Sequence, residues 1–148
     1  IADPISHFIL SYAINGSGDT KTFTSPATFG AANLSGPLGV NLDGSGTVYV
    51  ADNTLGTVEK FSPAGVHQSS VTLVSGGTPW SGVVDSQGYL YVTDNTNHEI
   101  QMFNSSGSAV TQFGNPVLTQ PGGITLDGAG NLYVTDITAD LVVVFKRN

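Results

Sequence analysis

Two histidines and one aspartate share a position that suggests metal or ligand chemistry. His7, His98 and Asp140 each stand four residues after an aspartate that recurs along the chain. Imidazole and carboxylate groups bind zinc, and a catalytic zinc takes three protein ligands and keeps one position open. Because no third histidine shares this position and polar residues are common in turns, we expect neither a metal nor another cofactor. The remaining histidine, His67, falls outside this register and is expected to face solvent.

The only tryptophan is the clearest departure from an otherwise regular pattern. Trp80 stands where related segments have Leu38 and Gly122, and a scaffold does not require so large a ring there. An indole near a central opening can stack on a ligand, and the alternative is an apolar plug against a neighbouring element. Four residues are therefore the predicted ligand-binding set: Trp80, His98, His7 and Asp140.

Signatures of other catalytic sites are missing from the sequence. With no cysteine there is no thiolate nucleophile, disulfide or cysteine-based metal site. No Gly-x-Ser-x-Gly segment supplies a nucleophile elbow, and the glycine pairs at 16–18 and 44–46 precede no helical segment that binds phosphate. We therefore predict no catalytic residues and favour a noncatalytic protein over an enzyme.

The elements that carry these residues come from a repeat of 42 residues. Proline, aspartate, glycine, tyrosine and phenylalanine all follow this period without a gap: Pro37, Pro79 and Pro121; Asp43, Asp85 and Asp127; Asp52, Asp94 and Asp136; Gly46, Gly88 and Gly130; Tyr49, Tyr91 and Tyr133; Phe61, Phe103 and Phe145. Ile1 to Tyr12 continues the pattern if seven extra residues lie between Lys21 and Gly36. Aspartate in every repeat favours a structural role, the capping of N–H groups in turns, over a ring of cation ligands.

Each repeat divides into four short antiparallel strands. Segments rich in Val, Leu and Tyr alternate with turns that begin at Asp or Asn and contain Gly. A unit of this size that is apolar on both faces must stack against neighbours, and radial stacking gives a β-propeller. The predicted fold is all-β, a propeller arc with two complete and two partial blades in a single segment, 1–148. The predicted limits are 1–36, 37–78, 79–120 and 121–148.

The repeats resemble the NHL repeat. Its pattern of a Gly turn, a Tyr-Val-x-Asp strand and an Asn-x-x-Ile-x-x-Phe strand matches Gly-Tyr-Leu-Tyr-Val-Thr-Asp at 88–94 and Asn-His-Glu-Ile-Gln-Met-Phe at 97–103. NHL-like propellers include peptide-amide lyases, lactonase-like hydrolases, antibiotic lyases and noncatalytic interaction modules, so the resemblance implies a fold rather than one function. Related amidating lyases use histidines near the channel for zinc. Such rings usually have about six blades, and this chain holds only about half that number of repeats.

An incomplete ring exposes apolar blade faces and strand edges at both ends, which requires a cover. We predict that the first repeat supplies only its third and fourth strands and the last repeat its first three. The expected cover is a second copy, with the outer strand near 20–24 of one chain completing the blade at 121–145 of the other. Segments 8–13 and 141–145 then compete as third strands. The predicted self-association residues are Phe8, Phe23, Leu141, Val143 and Phe145.

Charge and composition limit the partners. Eleven acidic and four basic residues give a net charge of −7, which opposes binding to nucleic acid and anionic membranes. Few lysines and many Ser, Thr, Asn and Gly residues are typical of exported proteins, so an extracellular or cell-envelope location is expected. The predicted function is a noncatalytic scaffold that binds itself and a small molecule or protein at the axial face. The alternative is a fragment or half-ring of a propeller enzyme, a metal-dependent lyase or lactonase-like hydrolase.

Overall fold

The computed structural model describes residues 1–15, 22–23 and 27–147. The strands form four antiparallel sheets, called blades 1 to 4 here, and one two-stranded sheet. Blade 1 contains β1 (Ala2–Asp3), β2 (Phe8–Ser11) and β5 (Ala27–Phe29), and the two-stranded sheet pairs β3 (Ile14–Asn15) with β4 (Thr22–Phe23). Blade 2 contains β6 (Pro37–Leu42), β7 (Val48–Asp52), β8 (Thr57–Phe61) and β9 (His67–Thr72).

Blades 3 and 4 repeat this order, strand by strand from the innermost outward. Blade 3 contains β10 (Pro79–Val84), β11 (Leu90–Asp94), β12 (Glu99–Phe103) and β13 (Ala109–Phe113). Blade 4 contains β14 (Pro121–Leu126), β15 (Leu132–Asp136) and β16 (Leu141–Phe145). Helical structure in the described ranges is limited to a 3-10 turn at Val74–Gly76, which is far too short to cross a membrane.

The same aspartate–glycine turn closes the inner hairpin of blades 2, 3 and 4. Asp43 accepts hydrogen bonds from the backbone N–H groups of Ser45 and Thr47 at 2.9 and 3.0 Å. Gly46 takes a φ of +84°, a conformation that costs glycine little and other residues more. Asp85 and Asp127 make equivalent bonds in their own turns. The recurring turn explains why the inner two strands keep one register in all three blades.

The core of the described residues consists of three apolar clusters, one between each pair of neighbouring blades. The cluster between blades 1 and 2 contains Ile9, Leu34, Val48, Val50 and Phe61. The cluster between blades 2 and 3 contains Val58, Val71, Leu73, Leu90, Val92 and Phe103. The cluster between blades 3 and 4 contains Val83, Ile100, Leu118, Ile124, Leu132 and Val134. Because alternate residues of a strand point to opposite faces, each inner blade contributes to two clusters and each end blade to one.

The predicted fold class is confirmed, and so is the prediction that the last repeat supplies three strands. The prediction for the first repeat is wrong in two respects. Ala2–Asp3 adds the end of a second strand, opposite Phe8 and Ile9. The fourth strand is Ala27–Phe29 rather than the stretch near 20–24, of which Thr22–Phe23 pairs with Ile14–Asn15 while 20, 21 and 24 lie outside the described residues.

The insertion in the first repeat is also placed differently from the prediction. Ile9 pairs with Phe29, 20 residues away, whereas Val58 pairs with Val71 and Ile100 with Phe113, 13 residues away. The seven extra residues therefore lie between β2 and β5. From Phe29 onward the 42-residue spacing holds, so the predicted interval extended too far towards Gly36.

Candidate functional site

The inner strands of blades 2, 3 and 4 begin on one face of the arc, which we call the axial face. The turns that join the second and third strands of every blade reach the same face. A buried aspartate stands at the end of the second strand in blades 2, 3 and 4: Asp52, Asp94 and Asp136. The axial face is thus built from loops that these three carboxylates anchor.

Each buried aspartate ties its own turn to the segment that enters its blade. Asp94 accepts hydrogen bonds from the N–H groups of Thr78, which precedes β10, and of Asn97 in the turn, at 3.1 and 3.2 Å. The Gln101 amide donates to the same carboxylate at 2.7 Å. Carboxylates occupied in this way have a structural role, as predicted from their recurrence. Among the described residues, the Asp3 carboxylate at the open end of blade 1 accepts hydrogen bonds only from its own turn, from the N–H groups of Ile5 and Ser6.

Asp136 shows the electrostatic effect of this arrangement. Burial alone would raise the pKa of its carboxyl group, but hydrogen bonds from the Thr119 N–H and hydroxyl and from the N–H groups of Ala139 and Gln120 outweigh it. The pKa falls from 3.8 to about 2. The group is therefore an ionised anchor at neutral pH rather than a proton donor.

The predicted ligand residues His7, His98 and Asp140 occupy equivalent turns, one each in blades 1, 3 and 4. Their φ angles are 57°, 58° and 54°, and Gly56 has a φ of 69° at the same place in blade 2. Histidine, asparagine and aspartate tolerate this left-handed conformation better than most residues. The turn geometry is thus a structural reason for these residue types. Within the described ranges, no three His, Asp or Glu side chains lie close enough to hold one ion together.

Trp80 lies on the axial face at the start of β10, where the pairing with β11 is irregular between Pro79 and Ser81. Its side chain is half-buried. A Cβ on Gly39 would come within 2.7 Å of the Trp80 carbonyl oxygen, so the inner strands β6 and β10 approach closely here. No described hydrogen bond or ring contact joins the indole to His7, His98 or Asp140, which lie in separate turns.

Sequence reasoning missed a buried acid in blade 2, and the prediction for His67 is wrong. His67 is only partly exposed, and its Nε2 lies 2.6 Å from a carboxylate oxygen of Glu59. Thr57 and Ser70 hydroxyls donate to the same carboxylate at 2.6 Å each. The available signal was that Glu59 is charged where the next repeat has Gln101. Because the acid, and not the histidine, is central, this grouping differs from a serine–histidine–acid triad.

The two ends of the arc expose apolar side chains that the inner blades cover. Val142 and Val144 on β16 are 56% and 43% exposed, whereas Ile100, the counterpart of Val142 in blade 3, is fully buried. At the other end Ile1 and Tyr12 are 69% and 42% exposed. Exposed apolar faces of this kind mark interaction surfaces.

A cavity of about 980 Å³ opens between blade 1 and blade 2. Its lining is mostly apolar and includes Ile9, Leu10, Phe29, Val40, Leu42 and Val48. Among the described residues, blade 1 has no innermost strand and only the end of a second strand. The cavity lies where those two strands would pack in a complete blade.

The predicted self-association residues fall into three groups. Val143 and Phe145 pack within the chain against blade 3, with the Phe145 ring centroid 5.4 Å from that of Phe113. Leu141 is about half exposed, and Phe8 is partly buried beside Asp3 in the strand pairing. Phe23 belongs to β4, and its side chain lies outside the described part of the structure.

Blades, hairpin turns and interblade cores together define half of a β-propeller. No protein-family model and no curated protein sequence matches the chain. A chain in the crystal structure of a nidogen–laminin complex matches it with a TM-score of 0.72 and 21% identity, over 93% of this chain and 56% of that chain. Virginiamycin B lyase from Staphylococcus aureus matches with a TM-score of 0.62 and 16% identity, over 95% of this chain and 46% of the lyase.

A third match is the calcium-binding protein regucalcin from Agrobacterium tumefaciens, with a TM-score of 0.60 and 16% identity over 78% of this chain and 45% of that chain. These matches are six-bladed propellers, and this chain spans about half of their length. At such identities the likeness establishes the fold alone.

Proposed function

We propose that this chain is a noncatalytic, NHL-like half-propeller that associates with a second copy to close a ring, and that the ring is a scaffold for a ligand or protein at the axial face. The observation that carries the proposal is the complementarity of the end blades. Blade 1 has the outer strands and blade 4 the inner strands of the same four-stranded unit. The composition, with few lysines and many Ser, Thr, Asn and Gly residues, is typical of exported proteins and supports a location outside the cell or in its envelope.

The blade count supports merging of the end blades rather than simple stacking. Each chain has three interblade clusters, and two chains therefore supply the six that a six-bladed ring needs. Stacked as separate sheets, two copies would bring eight sheets, two more than the six blades of the propellers that the chain matches. When blade 4 of one copy and blade 1 of the other form one blade, the ring has six. Head-to-tail contacts that close in this way leave no exposed end.

The association is tested by light scattering with size exclusion across micromolar concentrations. We expect a mass twice that of the 15.2 kDa chain. Tyr12→Asp places a charge at the open end of blade 1 and should return the mass to that of one chain. The matched control, Val110→Asp, changes an exposed residue on the outer strand of the complete blade 3 and should keep the doubled mass. A wild-type protein with the mass of one chain would contradict the proposal.

The second candidate function is a propeller enzyme whose site is completed by ring assembly. The likeness to virginiamycin B lyase and to a gluconolactonase from Xanthomonas campestris supports it at the level of fold. Elemental analysis of the purified protein distinguishes the two functions. Stoichiometric divalent metal that is lost in His98→Ala would favour the lyase-like enzyme, and metal-free protein would count against its zinc-dependent form.

A further inference from the structure

We infer that the cavity between blades 1 and 2 receives the β14–β15 hairpin of a second copy, with Tyr133 of that copy entering it and β16 of that copy released. This inference rests on the proposed ring. It specifies which strands are exchanged, which the ring itself leaves open.

The closed interfaces show what fills the corresponding place. Tyr49 packs against the cluster between blades 2 and 3, and Tyr91 against the cluster between blades 3 and 4. Each tyrosine donates a hydrogen bond to the aspartate of its own inner turn, Tyr49 to Asp43 and Tyr91 to Asp85, both at 3.3 Å. An inner hairpin with a tyrosine is therefore the regular occupant of this place.

Blade 4 presents the same hairpin with no following blade described. Tyr133 donates to Asp127 at 3.1 Å, as in the two inner blades. The hairpin is thus already held in the conformation that the closed interfaces use. Between blades 1 and 2, by contrast, the described residues supply no such tyrosine and leave an apolar cavity. The two ends of the chain therefore complement each other in shape and chemistry.

Strand register predicts the new contacts in the shared blade. In blade 2, Val50 of β7 lies opposite Glu59 of β8. The repeat places Val134 at the position of Val50 and Leu10 at that of Glu59. In the shared blade, β15 of one copy therefore pairs with β2 of the other, and Val134 faces Leu10 across the two chains.

This pairing requires β16 and β1 to leave their places. Val134 now lies opposite Val143 of β16, so Leu10 of the partner would replace Val143. By the same register Tyr12 would replace Phe145. Both exchanges put one apolar side chain in the place of another, and Leu10 and Tyr12 become covered. Three residues at the start of the chain are displaced, because β1 spans Ala2–Asp3 and Ile1 exchanges two backbone hydrogen bonds with Leu10.

A cysteine cross-link tests the register, because the chain contains no cysteine of its own. Residues opposite each other on antiparallel strands have Cα atoms about 4.5–5.5 Å apart, within the range that a disulfide spans. The variant Leu10→Cys with Val134→Cys should give a covalent dimer on a non-reducing gel after mild oxidation in air. The control Leu10→Cys with Thr135→Cys is one residue out of register, so that its thiols point to opposite faces, and should not cross-link.

Light scattering on the same samples separates the two proposals. A doubled mass without the expected cross-link, or with equal cross-linking in the control, would overturn the exchange and leave the ring proposal standing. A wild-type protein with the mass of one chain would contradict both the ring and the strand exchange.

A second variant tests the release of β16. Phe145→Asp removes a contact with Phe113 that exists only while β16 is bound to its own blade. If β16 is released on association, this variant should dimerise at least as tightly as the wild type. If the Phe145→Asp dimer dissociates at protein concentrations tenfold higher than those at which the wild-type dimer dissociates, the inference would be overturned.

Discussion

Blades 3 and 4 are built from the same repeat, yet one face differs completely between them. One face of blade 3 packs against blade 4, the next blade in the sequence. Ile100 lies on this face and is fully buried. The corresponding face of blade 4 carries Val142, which is 56% exposed. Strand register and position within the repeat are equivalent. The difference therefore reflects what lies beside the strand. Blade 3 has a following blade and a fourth strand, and blade 4 has neither among the described residues.

The exposed end strand is more apolar than its covered counterparts. Blades 2 and 3 carry Thr-Val-Glu-Lys-Phe and Glu-Ile-Gln-Met-Phe as their third strands, whereas β16 is Leu-Val-Val-Val-Phe. An uncharged strand with a free edge is a site for pairing or aggregation unless something covers it. In the single chain, β16 therefore leaves an apolar strand exposed at the end of blade 4.

The largest expected effect on stability comes from substitutions that test the difference between these two faces. Ile100→Ala leaves a cavity between blades 3 and 4 and should lower the free energy of unfolding by about 2–5 kcal/mol. Val142→Ala removes a solvated side chain and should change it by less than about 0.5 kcal/mol. Urea denaturation measures both. Equal losses would mean that the face of blade 4 is covered as fully as that of blade 3.

A medium effect concerns the aspartates that anchor the loops. Asp136→Asn should cost about 1–3 kcal/mol at neutral pH, because a buried, charged acceptor of three N–H groups and one hydroxyl is lost. The native pKa of Asp136 is about 2, below its ordinary 3.8, so its contribution is complete above 3.8 and disappears as the pH falls towards 2. The variant should therefore lose less stability than the wild type over that acid range.

Asp3→Asn is the matched control at the open end of the arc. The pKa of Asp3 is also lowered, mainly by the hydrogen bond from the Ser6 N–H, but among the described residues this carboxylate bonds only its own turn. Compared with Asp136→Asn, Asp3→Asn should lower the stability less at neutral pH. It should also change less the amount of stability that the protein loses as the pH falls. Acid titrations followed by circular dichroism compare the variants. An effect as large as that of Asp136→Asn would mean that blade 1 is anchored like the inner blades.

The smallest effect is expected in the left-handed turns. His98→Gly and His7→Gly place glycine where blade 2 already has Gly56, and each should change stability by less than about 1 kcal/mol. The two changes should be equal, because the turn conformation is local and does not depend on a neighbouring blade. Thermal unfolding measures both variants. A much larger loss of stability in His98→Gly than in His7→Gly would show that the His98 imidazole has a role beyond the turn.

Recurring residues made most of the fold predictable. The 42-residue period identifies the inner hairpins, the buried aspartates and the three strands of the last blade, since every repeat presents the same turn chemistry and alternation. Blade 1 was harder because an insertion interrupts the period before Phe29. His67 was misplaced because its partner, Glu59, is eight residues away in sequence and adjacent only after β8 pairs with β9.

The candidate site was less predictable than the fold. The sequence placed Trp80, His7, His98 and Asp140 on one face and the three turn residues in different blades. It could not say that no described hydrogen bond or ring contact joins Trp80 to His98 within blade 3. It also gave no sign of the cavity between blades 1 and 2, because a cavity depends on which strands a sheet has and on how the neighbouring sheet covers it.

By itself the sequence determined the repeat, the turns and the apolar faces, because these follow from residue type and spacing over short distances. The tertiary structure alone decided which faces are covered, which carboxylates join two loops, and that the end blades are complementary halves of one unit. Burial is a property of neighbours, and neighbours from different blades meet only when the chain has folded.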